Sequence, residues 1–528
     1  MPANPFLQAV LNEPEDDLAR LVYADWLDEQ GDPRGEFIRV QVELATLTPA
    51  DDSWRDLKNR ETELLNQYLA DWFDGMRRVW SGFSQCKYQP FFTGRGSCQL
   101  VRGFRESARV RTRVFLEHAA KIFEQMPLRK LRLFERDHGE EEFQRFAESP
   151  FLEKLTHLAF DWRGNVEPQL QALLTHPHSR NLQELEFWSA NVPGIVDPLR
   201  KAADVSQLRR LAIHFASRYG YSQDQRLAPE TAKRLAEQCQ LPKLESFALT
   251  SYEVTFDFLK RLLKRAKWRE TVHDWDWSGH DFGDKGLEFL ASLGLSSRWT
   301  QLRLNAETQS GRPQTAGPFT RAGMQALATM DFTSLKVFEI TGHRIGSGKL
   351  RSLLRNPTLS NLEELDLSNN PIKDSGAAVL AKVGHLSKLK TLRLKNCGLT
   401  KIGLQSLMNS KSLPELRCLY LDNNPSLNDA IRTLVESSMV SQLRTLSLSG
   451  ISQLSYRQFQ QLAKTGELGN LAELDISGQP FLQRNLLTLA ESPHLEHLAH
   501  LHWNVGYETR PSQLLEMAEA RWPGRCRI

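Results

Sequence analysis

The sequence predicts an α/β solenoid, in which parallel strands alternate with helices, behind a small all-α N-terminal unit. The first observation is a repeated frame: LEELDLSNN begins at 362, LKTLRLKNC at 389, LRCLYLDNN at 416 and LRTLSLSG at 443. The second is helical apolar spacing between the frames, as in GAAVLAKVGHL from residue 376. The third is the length of 528 residues, which exceeds one ordinary core. Because one such unit cannot bury its apolar side alone, the units must stack.

The frames share the pattern LxxLxL followed by a polar turn that often carries Asn or Cys. They resemble leucine-rich repeats of the longer, helix-containing kind seen in ribonuclease-inhibitor-like proteins. The resemblance implies a right-handed horseshoe with parallel strands on the concave face and helices outside. Counting frames predicts about 14 repeats over residues 105–510, followed by a C-terminal cap at 511–528.

The first 80 residues carry helical patterns instead of repeat frames. The segment LARLVYADWLDEQGDPRGEFIRVQ, which begins at Leu18, resembles a small bacterial repeat-companion domain within residues 1–47. That resemblance gives no information about an activity. A long helical pattern follows and completes the unit at 1–80, and residues 81–104, rich in Gly, Ser and aromatics, are predicted to be a connector.

Composition narrows the class of protein. Hydrophobic residues make up 40% and charged residues 25%, as in soluble globular proteins. No apolar run approaches the roughly 20 residues that a membrane helix needs, and the first residues lack a secretory pattern. We therefore expect a cytoplasmic protein without a membrane partner. The six cysteines contain no CxxC pair, which argues against a disulfide scaffold or zinc module.

Charge is unevenly distributed along the chain. Residues 1–50 hold ten acidic residues against three arginines, a net charge of −7, within a total of +3. One interpretation is that these acids are solvated helix faces. The other is that an acidic head docks on a basic partner or on a basic stretch of the chain itself.

Catalytic motifs are missing from the sequence. There is no Gly-rich phosphate loop, GxSxG elbow or HExxH. Asp25, Asp32 and Glu36 flank a turn, where capping and pairing with Arg34 explain them better than catalysis. We therefore predict that the protein is not an enzyme and uses no cofactor, metal or small-molecule substrate.

The residues between the strand leucines should face the concave surface, because side chains alternate along a strand. On this surface Asp366, Arg393 and Tyr420 form a candidate partner-binding site, and Asp366 should pair with Arg393 on the next strand. The outward residues are mixed in sign. They do not form the basic stripe that nucleic acid requires.

Two of the steps between successive frames are about 36 residues long instead of about 27, which indicates two inserted loops. Insertions at equivalent points emerge on one edge of a solenoid and often build a binding face. The predicted rim is Tyr219 and Tyr221 in the first loop and Arg312 in the second. The predicted floor is His214, Asp274, Asp276, Arg303 and Asn305.

These observations predict a non-catalytic protein–protein interaction scaffold that binds a macromolecular partner, a protein, through the concave face and the two loops. One alternative is an enzyme or enzyme regulator with its chemistry in the N-terminal unit and the repeats used for targeting. A weaker alternative is nucleic-acid binding through the basic stretch 102–132.

Overall fold

The structure, a computed structural model, divides into two compact units. The first contains Met1–Ala45 and Tyr68–Phe282, and the second contains Thr46–Gln67 and Gly283–Ile528. The described residues are 4–79, 100–134, 139–161, 167–188, 192–202, 205–214, 227, 229–250, 254–280, 282–306, 319–451, 454–478, 483–503 and 526–527.

The first unit begins with three helices and continues with seven strands. The helices are α1 (Pro5–Asn12), α2 (Asp17–Glu29) and α3 (Arg34–Leu44). The strands are β1 (Ser107–Val110), β2 (Lys130–Phe134), β3 (His157–Asp161), β4 (Glu184–Trp188), β5 (Arg210–His214), β6 (Ser246–Thr250) and β7 (Asp274–Asp276). Between them lie α5 (Thr112–Gln125), α6 (Glu140–Ala147), α7 (Glu167–Thr175), α8 (Val192–Lys201), α9 (Pro229–Gln238) and α10 (Phe256–Arg265).

The second unit contains the start of α4 (Trp54–Val79) and the remaining repeats. Its strands are β8 (Gln301–Arg303), β9 (Val337–Glu339), β10 (Glu364–Asp366), β11 (Thr391–Arg393), β12 (Cys418–Tyr420), β13 (Thr445–Ser447), β14 (Glu473–Asp475), β15 (His500–His502) and β16 (Cys526–Arg527). Its other helices are α11 (Gly283–Ser292), α12 (Arg321–Thr329), α13 (Ser347–Leu353), α14 (Lys373–Leu380), α15 (Lys401–Met408), α16 (Ile431–Val435), α17 (Tyr456–Lys464) and α18 (Gln483–Ala490).

Within each unit the strands are parallel and pair in sequence order. Leu365 is in register with Leu392, which is in register with Leu419, and all three side chains are fully buried. Consecutive helices pack on one another as a second layer. The prediction of an α/β solenoid is therefore confirmed, and its cause is the LxxLxL frame, which gives every strand one apolar side.

One buried polar position recurs after the strands and satisfies backbone groups of the neighbouring repeat. Asn370 Nδ2 donates to Ile340 O at 2.7 Å, and its Oδ1 accepts from Ile345 N at 3.0 Å. At the same position in another repeat, His343 Nε2 donates to Leu304 O. Residues at this position include His280, His343, Asn370, Cys397 and Asn424. Histidine thus replaces the expected asparagine in two repeats.

The N-terminal helices are fixed to the start of the first strand by a buried arginine. Arg20 is 0% exposed, and its Nη2 donates to Pro14 O at 2.6 Å and to Glu106 Oε1 at 2.7 Å. Its Nη1 donates to Arg102 O at 3.0 Å. The guanidinium also lies 5.3 Å from the centre of the Phe104 ring. These contacts join helix α2 to the segment that enters β1.

Candidate functional site

The first unit has a row of outward side chains at the C-terminal ends of its five-residue strands. Strands β2 to β6 are in register, so this row runs Phe134, Asp161, Trp188, His214 and Thr250. The neighbouring outward row contains the small residues Ala159, Ala212 and Ala248, which are all buried. Small residues beside large ones leave room for the aromatic rings to lie across the sheet.

Trp188 is the centre of this surface. Its ring lies 4.9 Å from the guanidinium carbon of Arg132 and 4.5 Å from the His214 ring, and its Nε1 donates to Glu186. Trp188 keeps part of its surface exposed. Arg132 and His214 both contact the Trp188 ring, to which the His214 ring is tilted by 34°, and we call these three residues the tryptophan stack. They stand on strands whose backbones are fixed by parallel pairing, and each side chain has a hydrogen-bonded partner, Asp161, Glu186 or Thr250 respectively.

Charged groups support the tryptophan stack from one side. Asp161 accepts from Arg132 Nε at 3.0 Å and from Arg109 Nη2 at 3.2 Å, so one carboxylate orients two arginines. The Arg109 guanidinium also lies 4.7 Å from the Phe134 ring centre. Burial lowers the pKa of His214, whose Nδ1 lies 2.8 Å from Thr250 Oγ1. The His214 ring is therefore neutral at pH 7.

Among the predicted floor residues of the first unit, His214 belongs to the tryptophan stack. Asp274 and Asp276 lie on β7, each half-buried. The Asp276 carboxylate accepts from Ser278 N at 3.0 Å, which caps the turn after the strand. The predicted rim residues Tyr219 and Tyr221 lie outside the described residues.

The predicted floor residues of the second unit converge on one carboxylate. Glu339 accepts from Arg303 Nε at 2.9 Å and from Asn305 Nδ2 at 2.8 Å. Asn305 Oδ1 also accepts from Thr341 N at 3.1 Å, so the amide is fixed at both ends. Arg312 of the second predicted loop lies outside the described residues.

The predicted ion pair between Asp366 and Arg393 is wrong. Arg393 Nη1 pairs with Glu364 Oε2 at 2.9 Å, and its guanidinium lies 4.9 Å from the Tyr420 ring centre. Asp366 instead accepts from Ser368 N at 2.8 Å. Burial raises the pKa of Asp366. The short Asp366 side chain accepts a hydrogen bond from the backbone of the turn that follows its strand, whereas the longer Glu364 side chain reaches Arg393.

Part of the outward surface of the second unit is covered by the segment Thr46–Gln67. Arg55 Nη1 donates to Gly469 O at 3.0 Å, and Asn59 Nδ2 donates to His497 O at 3.1 Å. The Trp54 ring lies edge-on to His500, with centres 6.4 Å apart. His500 is consequently buried although it starts strand β15. This segment covers the N-terminal ends of β14 and β15.

Sequence reasoning did not place Trp188 in the candidate site. Outward positions other than the middle one were considered only in the strands beside the two predicted loops, and β4 precedes those strands. The sequence ELEFW at 184–188 contains the signal that would have identified Trp188. Its alternation of outward and inward residues continues past Glu186, so Trp188 is also an outward residue. The same extension in β2 to β6 aligns the whole row.

Two structural features are absent from the described part of the chain. It contains no group of three or more His, Cys, Asp and Glu side chains arranged to hold a metal ion. None of its helices is both long enough and apolar enough to cross a membrane.

In-register parallel strands, intervening helices and the recurring buried turn residue define a leucine-rich repeat solenoid. Residues 358–381 and 385–408 match the family described as Leucine Rich repeat. Among solved structures, the chain resembles one in the crystal structure of the Rad7 and Elc1 complex in yeast. That match has 17% sequence identity and a TM-score of 0.43, and it covers 64% of this chain and 82% of the other. No curated protein matches the sequence.

Proposed function

We propose that the protein is a non-catalytic scaffold that binds a protein partner through the outward face of its strands. The observation that carries this proposal is the tryptophan stack. Arg132 and Trp188 are of the two residue types that most often dominate the energy of protein interfaces. Their fixed position on paired strands lowers the entropy that a partner must overcome on binding.

Nucleic-acid binding through residues 102–132 has weaker support. Arg102 lies 2.9 Å from Glu106, Arg113 lies 2.8 Å from Glu117, and Arg132 is paired with Asp161. Guanidinium groups that are already paired with carboxylates release few counterions on meeting phosphate. Several arginines of this basic stretch are therefore already paired with carboxylates in the fold.

Chemistry in the N-terminal unit has weaker support too. A general acid needs a raised pKa. Burial would raise the pKa of Asp32, but hydrogen bonds from the side chain and backbone of Arg34 hold it below its ordinary value. Asp25 and Asp28 both pair with Arg39. These carboxylates are arranged as structural ion pairs.

The test is affinity capture from the native lysate with quantitative recovery of bound proteins. The double substitution Trp188→Ala with Arg132→Ala should lower recovery of specific partners at least tenfold, equivalent to about 1.4 kcal/mol. The reason is that it removes both the aromatic area and the cation above it. A second double substitution, Arg393→Ala with Tyr420→Ala, examines the corresponding arginine–aromatic pair of the second unit.

The matched control is Tyr456→Ala with Arg484→Ala. This pair has the same chemistry, with 5.2 Å between guanidinium and ring centre, but lies on the helices α17 and α18. It should leave capture unchanged. If the parent and the variant with Trp188→Ala and Arg132→Ala recover partner proteins equally, and circular dichroism shows that both are folded, then the tryptophan stack is not part of the interface.

A further inference from the structure

Helix α2 carries an exposed stripe that the N-terminal core does not use. Leu18 is 67% exposed and Val22 is 41% exposed, and both lie on one face because they are four residues apart. Asp25 and Glu29 continue this face at the next helical intervals, and both are exposed. The α2 stripe, Leu18, Val22, Asp25 and Glu29, thus combines two unburied apolar side chains with two carboxylates.

The helical layer of the second unit contains a groove of complementary character. It has a volume of about 340 Å³ and lies between the ends of α13 and α14. Its floor includes the apolar residues Leu354, Val379 and Val383, and its rim carries three cations. We call this feature the basic groove, and its lining residues are Arg351, Leu354, Arg355, Ser375, Ala378, Val379, Lys382 and Val383.

The three rim cations have their charges available for a partner. Arg351, Arg355 and Lys382 are all exposed, and within the described residues no carboxylate lies within 4 Å of any of them. In contrast, Lys390 on the strand side of the same repeats lies 3.0 Å from Glu363. Three like charges around one apolar floor repel one another, and an acidic ligand relieves that repulsion.

We propose that the α2 stripe of one copy of this chain docks in the basic groove of a second copy. Apolar side chains meet an apolar floor. Asp25 already pairs with Arg39, which also pairs with Asp28, but these groups together with Glu29 leave the helix face net negative opposite three unpaired cations. The wider charge distribution agrees, since residues 1–50 carry a net charge of −7. Neither surface contains a residue of the tryptophan stack.

This interface is heterologous, because the two surfaces that meet are different parts of the chain. Each copy therefore offers one stripe and one groove, and copies add head to tail. A single helix face in a small groove buries less than the standard interface of about 1,600 Å². We accordingly expect weak association that becomes visible only at high protein concentration.

The experiment uses sedimentation velocity on the full chain at increasing concentration, with two blocked variants. The groove variant carries Arg351→Glu, Arg355→Glu and Lys382→Glu, and the helix variant carries Leu18→Arg and Val22→Arg. The parent should form species larger than dimers as concentration rises, and 1 M salt should weaken them because the Debye length falls to about 3 Å. Each variant alone should remain monomeric.

Mixing the two variants provides the decisive result. The groove variant keeps its α2 stripe and the helix variant keeps its basic groove, so the mixture should form one-to-one dimers and nothing larger. Substituted residues are exposed, which keeps the fold intact. Matched controls are Lys411→Glu with Arg457→Glu and Lys464→Glu for charge, and Tyr456→Arg with Leu487→Arg for exposed apolar residues; both should associate like the parent.

Three outcomes would overturn the proposal. The first is a parent protein that stays monomeric at every concentration. In that case the basic groove does not bind a second copy, and its ligand would be an acidic peptide or a polynucleotide. The second is self-association of the blocked variants at the level of the parent. The third is a mixture of blocked variants that gives no dimer.

Discussion

Replacing Arg20 with alanine should lower the free energy of unfolding of the N-terminal helices by about 3 kcal/mol. The substitution removes three hydrogen bonds at once and leaves the buried acceptor Pro14 O and the partly buried acceptor Arg102 O without this donor. It also removes a cation 2.7 Å from Glu106, whose side chain is 9% exposed. Glu106 keeps its contact with Arg102, which places the loss at the lower end of the range for broken buried pairs.

Hydrogen exchange of the amides in residues 4–45 measures this effect. Their protection should fall by about two orders of magnitude in the Arg20→Ala protein, since 1.4 kcal/mol corresponds to a factor of ten. The control is Arg39→Ala, because the Arg39 ion pairs with Asp25 and Asp28 are solvent-exposed and contribute less than about 1 kcal/mol. Equal protection in the two variants would show that the buried arginine is dispensable.

Acidification from pH 7.5 to pH 5.0 should destabilise the protein through His343. Burial lowers the pKa of this histidine from its ordinary value to about 4. Its Nε2 donates to Leu304 O, and its buried Nδ1 has no hydrogen-bond partner among the described residues. A proton on Nδ1 would therefore place an unpaired charge beside the Phe319 ring, whose centre lies 3.9 Å away.

The direction of the effect follows from the two protonation states. In the unfolded chain His343 becomes protonated below pH 6.5, whereas in the folded protein it becomes protonated only near pH 4. The stability that neutral His343 contributes is therefore complete above pH 6.5 and is lost as pH falls from 6.5 to 4. The slope is at most about 1.4 kcal/mol per pH unit, or about 2 kcal/mol between pH 7.5 and pH 5.0.

Urea unfolding of the parent and of His343→Gln at the two pH values isolates this contribution. Glutamine retains an amide donor for Leu304 O but has no titrating group, so the variant should lose about 2 kcal/mol less than the parent on acidification. The control, His497→Gln, replaces an imidazole whose side chain is 63% exposed. It should retain the acid sensitivity of the parent. An unchanged pH dependence in His343→Gln would contradict the assignment.

The strand frames were predictable because each apolar residue of LxxLxL is one that the fold buries, so the spacing of these residues shows directly which side of the strand faces the core. Leu365 and its counterparts needed only the local period. The side-chain partners could not be predicted in the same way, since Arg393 could reach Glu364 or Asp366, two residues apart on the neighbouring strand, and only the geometry decides for Glu364. His343 was not recognised because the repeat pattern leads one to expect asparagine there. Its imidazole performs the same hydrogen bonding with a different ring.

The placement of Thr46–Gln67 was not predictable from local patterns. Helical spacing in α4 predicts a helix, which the structure has, but it gives no information on which surface the helix meets. Trp54 and Leu64 are buried, as their apolar character requires. The Trp54 ring meets His500, which lies 446 residues further along the chain, and no short-range signal can connect the two.

This long separation has a consequence for synthesis. Asp52 pairs with Arg444, 392 residues later in the chain. At a translation rate of about 5–20 residues per second, the ribosome needs roughly 20–80 s to make the second residue after the first. During that interval, and until His500 is made, Trp54 lacks the surface that it meets in the finished protein. Nascent chains that stop before β14 and β15 would therefore display the Trp54 side chain to chaperones and proteases, whereas completed chains conceal it.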